Sequence, residues 1–92
     1  MPRDRRQVER GLTNKGFAET QGDHHFFTYV TFAGKKTRVF TKTSHGAKQI
    51  DDKTLSMMAR QCRLGRGEFF RLVDCPMTQD EYEAHLKTLG LV

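Results

Sequence analysis

Apolar side chains recur along this chain with two different periods. In DRRQVERGLTNK, residues 4–15, Val8 and Leu12 lie one turn apart on one helical face. Asp4 stands where a helix is capped, and Gly16 follows where a helix ends in a left-handed residue. The spacing predicts a helix over 4–15 with Arg5 and Arg6 off its apolar stripe, although Gly11 is a poor helix residue. From Phe17 the period changes to two. Residues 17–21 read as a short strand, Gly22 and Asp23 as a turn, 24–32 as a long strand, 33–36 as a Gly-containing turn and 37–43 as a β-branched third strand. Three strands joined by tight turns predict an antiparallel meander. Its middle strand carries Phe26, Val30 and Phe32 on one face and Phe27 and Tyr29 on the other. One face must receive the helices. The other is either an exposed apolar patch, of the kind that marks a partner surface, or is covered by the tail.

The helical period returns beyond Ser44-His45-Gly46. Asp51 or Asp52 caps a second helix whose buried face is Leu55, Met58, Ala59 and Cys62, with Lys53, Arg60 and Arg63 outside and Leu64-Gly65-Arg66-Gly67 ending it. Residues 68–73 form a short amphipathic turn or helix, interrupted by Pro76. Thr78-Gln79-Asp80-Glu81 is a capping-box pattern that opens a last helix through Leu86 and Leu89. The order is α-β-β-β-α plus a short C-terminal helical extension. It predicts an α+β fold: a three-stranded antiparallel sheet with helices on one face, the plan of the double-stranded-RNA-binding domain.

Length and charge narrow the picture. With 92 residues the chain makes one domain with a modest core. No apolar run is long enough for a bilayer, and MPRDRRQVER has no signal-peptide character, which predicts a soluble cytoplasmic protein with no membrane partner. Cys62 and Cys75 form no CxxC pair and sit among apolar neighbours, as buried free thiols do. The net charge is +5, unevenly spread. Residues 1–66 hold 14 Lys and Arg against 6 Asp and Glu, and residues 67–92 hold 2 against 5. A basic body with an acidic tail favours a polyanionic partner, nucleic acid first.

The candidate chemistry lies in Gly22-Asp23-His24-His25. A histidine at a strand mouth is held by the ladder yet projects beside a turn, and histidine is the one ordinary side chain that titrates near neutral pH, at roughly 6.5. The plainer reading is a polar strand end facing water. His24 and His25 point to opposite faces of a regular strand. His45 sits in a turn near a helix entry, where phosphate binds, and His85 lies among acidic residues at the surface of the last helix. Neither the histidines nor the cysteines show metal-ligand spacing.

These residues resemble the HicA-like mRNA interferase toxins of bacterial toxin–antitoxin pairs. The resemblance runs from the first helix to about Val73. It rests on Gly16-Phe17, then Gly22-Asp23-His24 and the hairpin, then His45-Gly46, a Leu-led helix and Glu68-Phe69-Phe70. The family motif is Gly-Ser-His after a Gly-Phe, so Asp23 stands where Ser is usual, and the acidic tail from Pro76 to Val92 lies beyond the family core. The resemblance implies a single domain over 1–92, with a core over about 3–73 and a helical tail over about 76–92. It implies an endoribonuclease that cleaves mRNA with His24 as its one catalytic histidine, needs no metal or cofactor, and is silenced by a HicB-like antitoxin. Lys35, Lys36, Arg38, Lys42, His45 and Lys48 are the candidates for holding RNA. Two other classes fit the same chain: a non-catalytic RNA-binding module on the same basic surface, and a protein-interaction domain using the aromatic sheet face.

Overall fold

The chain enters through a two-residue strand, β1 (Arg3–Asp4), which pairs antiparallel with β5 (Gln49–Ile50). Asp4 then caps α1 (Arg5–Asn14): its Oδ1 accepts from the N–H of Arg6 at 2.8 Å and of Gln7 at 3.2 Å, donors that have no partner inside the helix. This geometry is that of a computed structural model describing residues 2–44, 46, 48–74 and 76–92. Val8 and Leu12 are buried as their spacing predicts, and Gly16, at φ +96°, turns the chain out of the helix.

β2 (Phe17–Gln21), β3 (His25–Val30) and β4 (Lys36–Thr43) form the antiparallel meander, in that order. Gln21 pairs with His25, so Gly22, Asp23 and His24 are a three-residue hairpin loop. His24 therefore lies just before the strand rather than at its first position, because its carbonyl accepts from the Gly22 N–H at 3.1 Å instead of joining the ladder. At the far end β3 stops at Val30, two residues earlier than expected. Thr31 closes the next turn: its Oγ1 accepts from the Lys35 N–H at 3.1 Å and its carbonyl from the Gly34 N–H at 2.9 Å.

The two sheet faces differ sharply. Phe17, Phe27, Tyr29, Val39, Thr41 and Thr43 point inward and are buried. On β4 they alternate with Arg38, Phe40 and Lys42, which are exposed. α2 (Asp52–Gln61), α3 (Arg66–Val73) and α4 (Gln79–Thr88) complete the inner layer. The protein is thus α+β, with a three-stranded antiparallel sheet and four helices among the described residues. No helix among them is long and apolar enough to cross a membrane.

α2 ends at Gln61, before the expected glycine stop. Arg63 itself takes the left-handed conformation, at φ 66°, and the Leu64 N–H reaches back to the Ala59 carbonyl at 2.9 Å. His85 steadies this turn, with Nε2 donating to the Arg63 carbonyl at 2.7 Å. Cys62 is the buried free thiol the sequence predicts, and burial pushes it up to about 12. Cys75 lies outside the described residues.

The acidic tail is part of the core. Tyr82 of α4 is fully buried, with its ring centroid 5.2 Å from Tyr29 and 5.6 Å from Phe17, and its hydroxyl donates to the Cys62 carbonyl at 2.8 Å. Glu83 is buried too: its Oε1 accepts from the Tyr29 hydroxyl at 2.6 Å and from the Phe32 N–H at 3.0 Å. A buried carboxylate without such donors would be strongly unfavourable, so these bonds fix the pose of α4 on the sheet. Lys15, also buried, donates from Nζ to the carbonyls of Leu72 at 2.7 Å and Met77 at 2.6 Å, closing the C-terminal end of α3.

Gly11 lies where α1 meets α3. A Cβ there would stand 2.4 Å from the Val73 carbonyl oxygen. Helix propensity alone predicts that Gly11→Ala gains about 1 kcal/mol. The contact predicts the opposite, a loss of about 1–3 kcal/mol from overpacking. Urea denaturation of the variant decides the sign, and a stabilised variant would show that the two helices are farther apart.

Burial first, and then hydrogen bonding to Glu83, push the Tyr29 hydroxyl up to about 12. An unfolded tyrosine titrates near 10, so stability from this group is complete below about pH 10 and is lost as pH rises toward 12. Tyr29→Phe should cost about 1.5–3 kcal/mol at pH 7, the worth of a hydrogen bond to a charged group. The variant should also lose less stability than the wild type between pH 10 and 12, read from denaturation midpoints across that range.

Candidate functional site

The loop of Gly22, Asp23 and His24 overhangs the open end of the meander. His24 is half-buried, its ring 6.3 Å from that of Phe26 at 70°. It lines a cleft of about 320 Å³. Arg5 of α1 forms one part of the wall, Lys42, Thr43 and Ser44 at the end of β4 another, Gln49 and Ile50 of β5 a third, and Thr54, Met57 and Gln61 of α2 the floor and far side. Arg5 and the stretch from Lys42 to Gln61 therefore meet at one histidine. A second hollow adjoins it, lined by Asp4, Arg5, Arg6 and Lys48, with Arg5 common to both.

The residues that line the cleft and the hollow carry more positive than negative charge, although Asp23 stands in the loop and Glu9 pairs with Arg5 beneath it. The lining acids, Asp4 and Asp51, serve as helix caps, the latter accepting from the Thr54 N–H at 2.8 Å. Hydrogen bonds from the Thr54 hydroxyl and N–H hold the Asp51 carboxyl below the usual range, so it stays ionised and committed to the start of α2. Arg5, Arg6, Lys42 and Lys48 supply the opposing charge.

The neighbouring histidine is placed differently. His25 faces inward, its side chain 16% exposed, with Nδ1 3.1 Å from Glu19 Oε2 and 3.5 Å from Glu9 Oε2. The same Glu9 oxygen accepts from the Thr43 hydroxyl at 2.6 Å and from Arg5 Nη1 at 3.0 Å. Glu9 thus ties α1 to the ends of β3 and β4 directly beneath the His24 loop. His25 is part of that anchorage, while His24 opens to the cleft.

Of the residues expected to hold RNA, Lys42 shares the cleft with His24, and Lys48 lies in the adjoining hollow. Arg38 stands exposed on the outer sheet face. Lys35 and Lys36 are at the other end of the hairpin, since Lys36 pairs with Val30 while Thr43 pairs with His25. At about 3.3 Å per residue, the length of β3 puts about 17 Å between those ends. His45 lies outside the described residues. His85 bonds the Arg63 carbonyl just past the end of α2 and does not line the cleft.

Sequence reasoning missed Gln49 and Gln61 as cleft residues and offered Arg5, with Arg6, Lys53 and Arg60, only as an alternative place for RNA. Arg5 and Gln49 reach it because β1 pairs with β5, a two-residue ladder with no periodicity to read. Gln61 is held by the Thr41 hydroxyl, which donates to its Oε1 at 2.7 Å across the core edge. Among the described residues no three His, Cys, Asp or Glu side chains gather as a metal ion would require. Comparison with protein-family models, with curated proteins and with solved structures finds no match to this chain.

Proposed function

We propose that this chain is a small endoribonuclease, the toxin of a bacterial toxin–antitoxin pair of the HicA-like kind, acting on mRNA and silenced by a HicB-like antitoxin protein that covers its cleft. The double-stranded-RNA-binding-domain plan belongs to the same proposal, with α1 and α2 flanking a three-stranded meander in the order helix, three strands, helix. One observation carries the reading. Of two adjacent histidines, His25 is turned onto Glu9 and Glu19, and His24 opens into a cleft that it shares with Arg5 and Lys42. An imidazole that shares a nucleotide-sized cleft with Lys42 and with an Arg5 held on Glu9 has the components of phosphodiester cleavage.

The chemistry needs only the chain's own groups. Neutral His24 takes the proton of a ribose 2′-hydroxyl as that oxygen attacks the adjacent phosphorus. The bond from phosphorus to the 5′-oxygen breaks, and the leaving oxygen takes a proton from the imidazolium or from water. Arg5 and Lys42 neutralise the charge that gathers on the phosphoryl oxygens. One positioned acid–base group is worth about 10²–10⁴ in rate.

His24→Ala should therefore cut single-stranded RNA at least about 10²-fold more slowly, with its thermal unfolding unchanged. Cleavage by the wild type should persist in excess EDTA, and its growth arrest on expression alone should disappear in the variant. Equal cleavage by His24→Ala would remove His24 from the chemistry. RNA that is bound but never cut by the wild type would make this a binding module.

Phosphate contacts in the cleft and hollow release counterions, so binding must weaken with salt by a log–log slope of roughly −0.7 per contact on single strands. The Lys42→Gln/Lys48→Gln double variant should make the slope shallower by about 1.4, equally for unrelated RNA sequences. A salt titration by fluorescence anisotropy reads this directly, and an unchanged slope would place the phosphates elsewhere.

A further inference from the structure

Among the described residues no helix covers the outer face of the sheet, and its composition is unusual. Along β4 the outward positions are Lys36, Arg38, Phe40 and Lys42. Phe40 is 48% exposed. Phe26 of β3 is directly opposite Lys42, and Thr28 is directly opposite Phe40, so the two phenyl rings sit diagonally on one surface. The outward positions of β2 are Ala18 and Thr20, which leaves no carboxylate among the outward strand positions. An aromatic pair framed by three cations suits a ligand that combines flat apolar faces with negative charge. A protein partner needs apolar area with a mixed rim, and a duplex hides its base faces. Unpaired nucleotides offer both features.

The platform is continuous with the cleft. The His24 ring stands 6.3 Å from Phe26, and Lys42 both faces Phe26 across the ladder and lines the His24 cleft. We propose that the outer sheet face is a stacking platform for single-stranded RNA, on which Phe40 and Phe26 receive bases while Arg38 and Lys42 take the intervening phosphates and lead the strand to His24. This rests on the nuclease reading, and it adds that the substrate enters unpaired across the sheet rather than as a duplex.

The test uses the full chain and a 2′-O-methyl single strand of about ten nucleotides, which cannot be cleaved through a 2′-hydroxyl. Phe40→Ala and Phe40→Leu should each weaken binding about tenfold, the loss of one stacked base, with the salt slope and the unfolding temperature unchanged. The chain has no tryptophan, so Phe40→Trp supplies a single reporter. It should bind like the wild type, and its emission should be quenched by the single strand and not by the corresponding duplex. Wild-type affinity in Phe40→Leu, absence of quenching by a bound single strand, or no binding of the strand at all would overturn the platform. Self-association that depends on Phe40, with unchanged RNA affinity, would likewise overturn it and assign the face to a second copy of the chain. Because the probe is uncleavable, the readings separate. Cleavage of ordinary RNA with undiminished Phe40→Ala affinity leaves the nuclease and removes the platform. Quenching without cleavage of ordinary RNA does the reverse.

Discussion

The missing side chain at Gly11 sets how closely the molecule closes. α1 approaches α3 until a Cβ on Gly11 would stand 2.4 Å from a backbone oxygen of Val73. A glycine in a helix costs about 1 kcal/mol, and close packing offsets it here. At that distance the middle and the C-terminal end of α1 reach polar partners on other elements. Lys15 reaches the carbonyls of Leu72 and Met77, and Glu9 reaches the Thr43 hydroxyl. The helix is thereby fastened to α3 at its C-terminal end and to the sheet from its middle.

The cleft follows from that fastening. With α1 fixed, Arg3 and Asp4 run alongside Gln49 and Ile50, and Arg3 extends over the Phe70 ring at 4.3 Å and pairs with Asp74 at 2.7 Å. Arg5 is then held at the wall of the cleft, with Glu9 beneath it. The hairpin loop brings His24 from the opposite side, and the capped start of α2 closes the third. A division of labour between two consecutive histidines results from the three-residue loop. His25 enters the ladder and faces the carboxylates of Glu9 and Glu19, and His24 remains outside the ladder.

The acidic tail shows why net charge alone misplaces groups. Glu83 is consumed inside the protein by the Tyr29 hydroxyl and the Phe32 N–H. Glu81 is consumed at the start of α4, where the N–H and hydroxyl of Thr78 hold its carboxyl below the usual range. The tail contributes Tyr82 and Leu86 to the same buried cluster as Leu12 and Phe27, so its acidity is in large part the price of building α4 into the core.

The chain's periodicity was enough to place α1, the meander, α2 and the capped last helix, because each is specified by neighbours within a few residues: Val8 with Leu12, alternation through Phe27 and Tyr29, Thr78 with Glu81. The Gly22-Asp23-His24-His25 turn was legible for the same reason, since a turn beside a strand is a local pattern, whereas the choice of His24 over His25 came from the family resemblance. Tertiary structure decided what depended on contacts between distant residues. It set the strand boundaries through the Gly22 and Thr31 turns. It ended α2 at a left-handed Arg63 supported by His85, and it brought Arg5, Gln49 and Gln61 to His24 while leaving Lys35 and Lys36 at the far end of the hairpin. A two-residue strand pair, a buried carboxylate and a close helix crossing leave no periodic trace in sequence, because their stabilisation comes from partners that only the folded chain brings into reach.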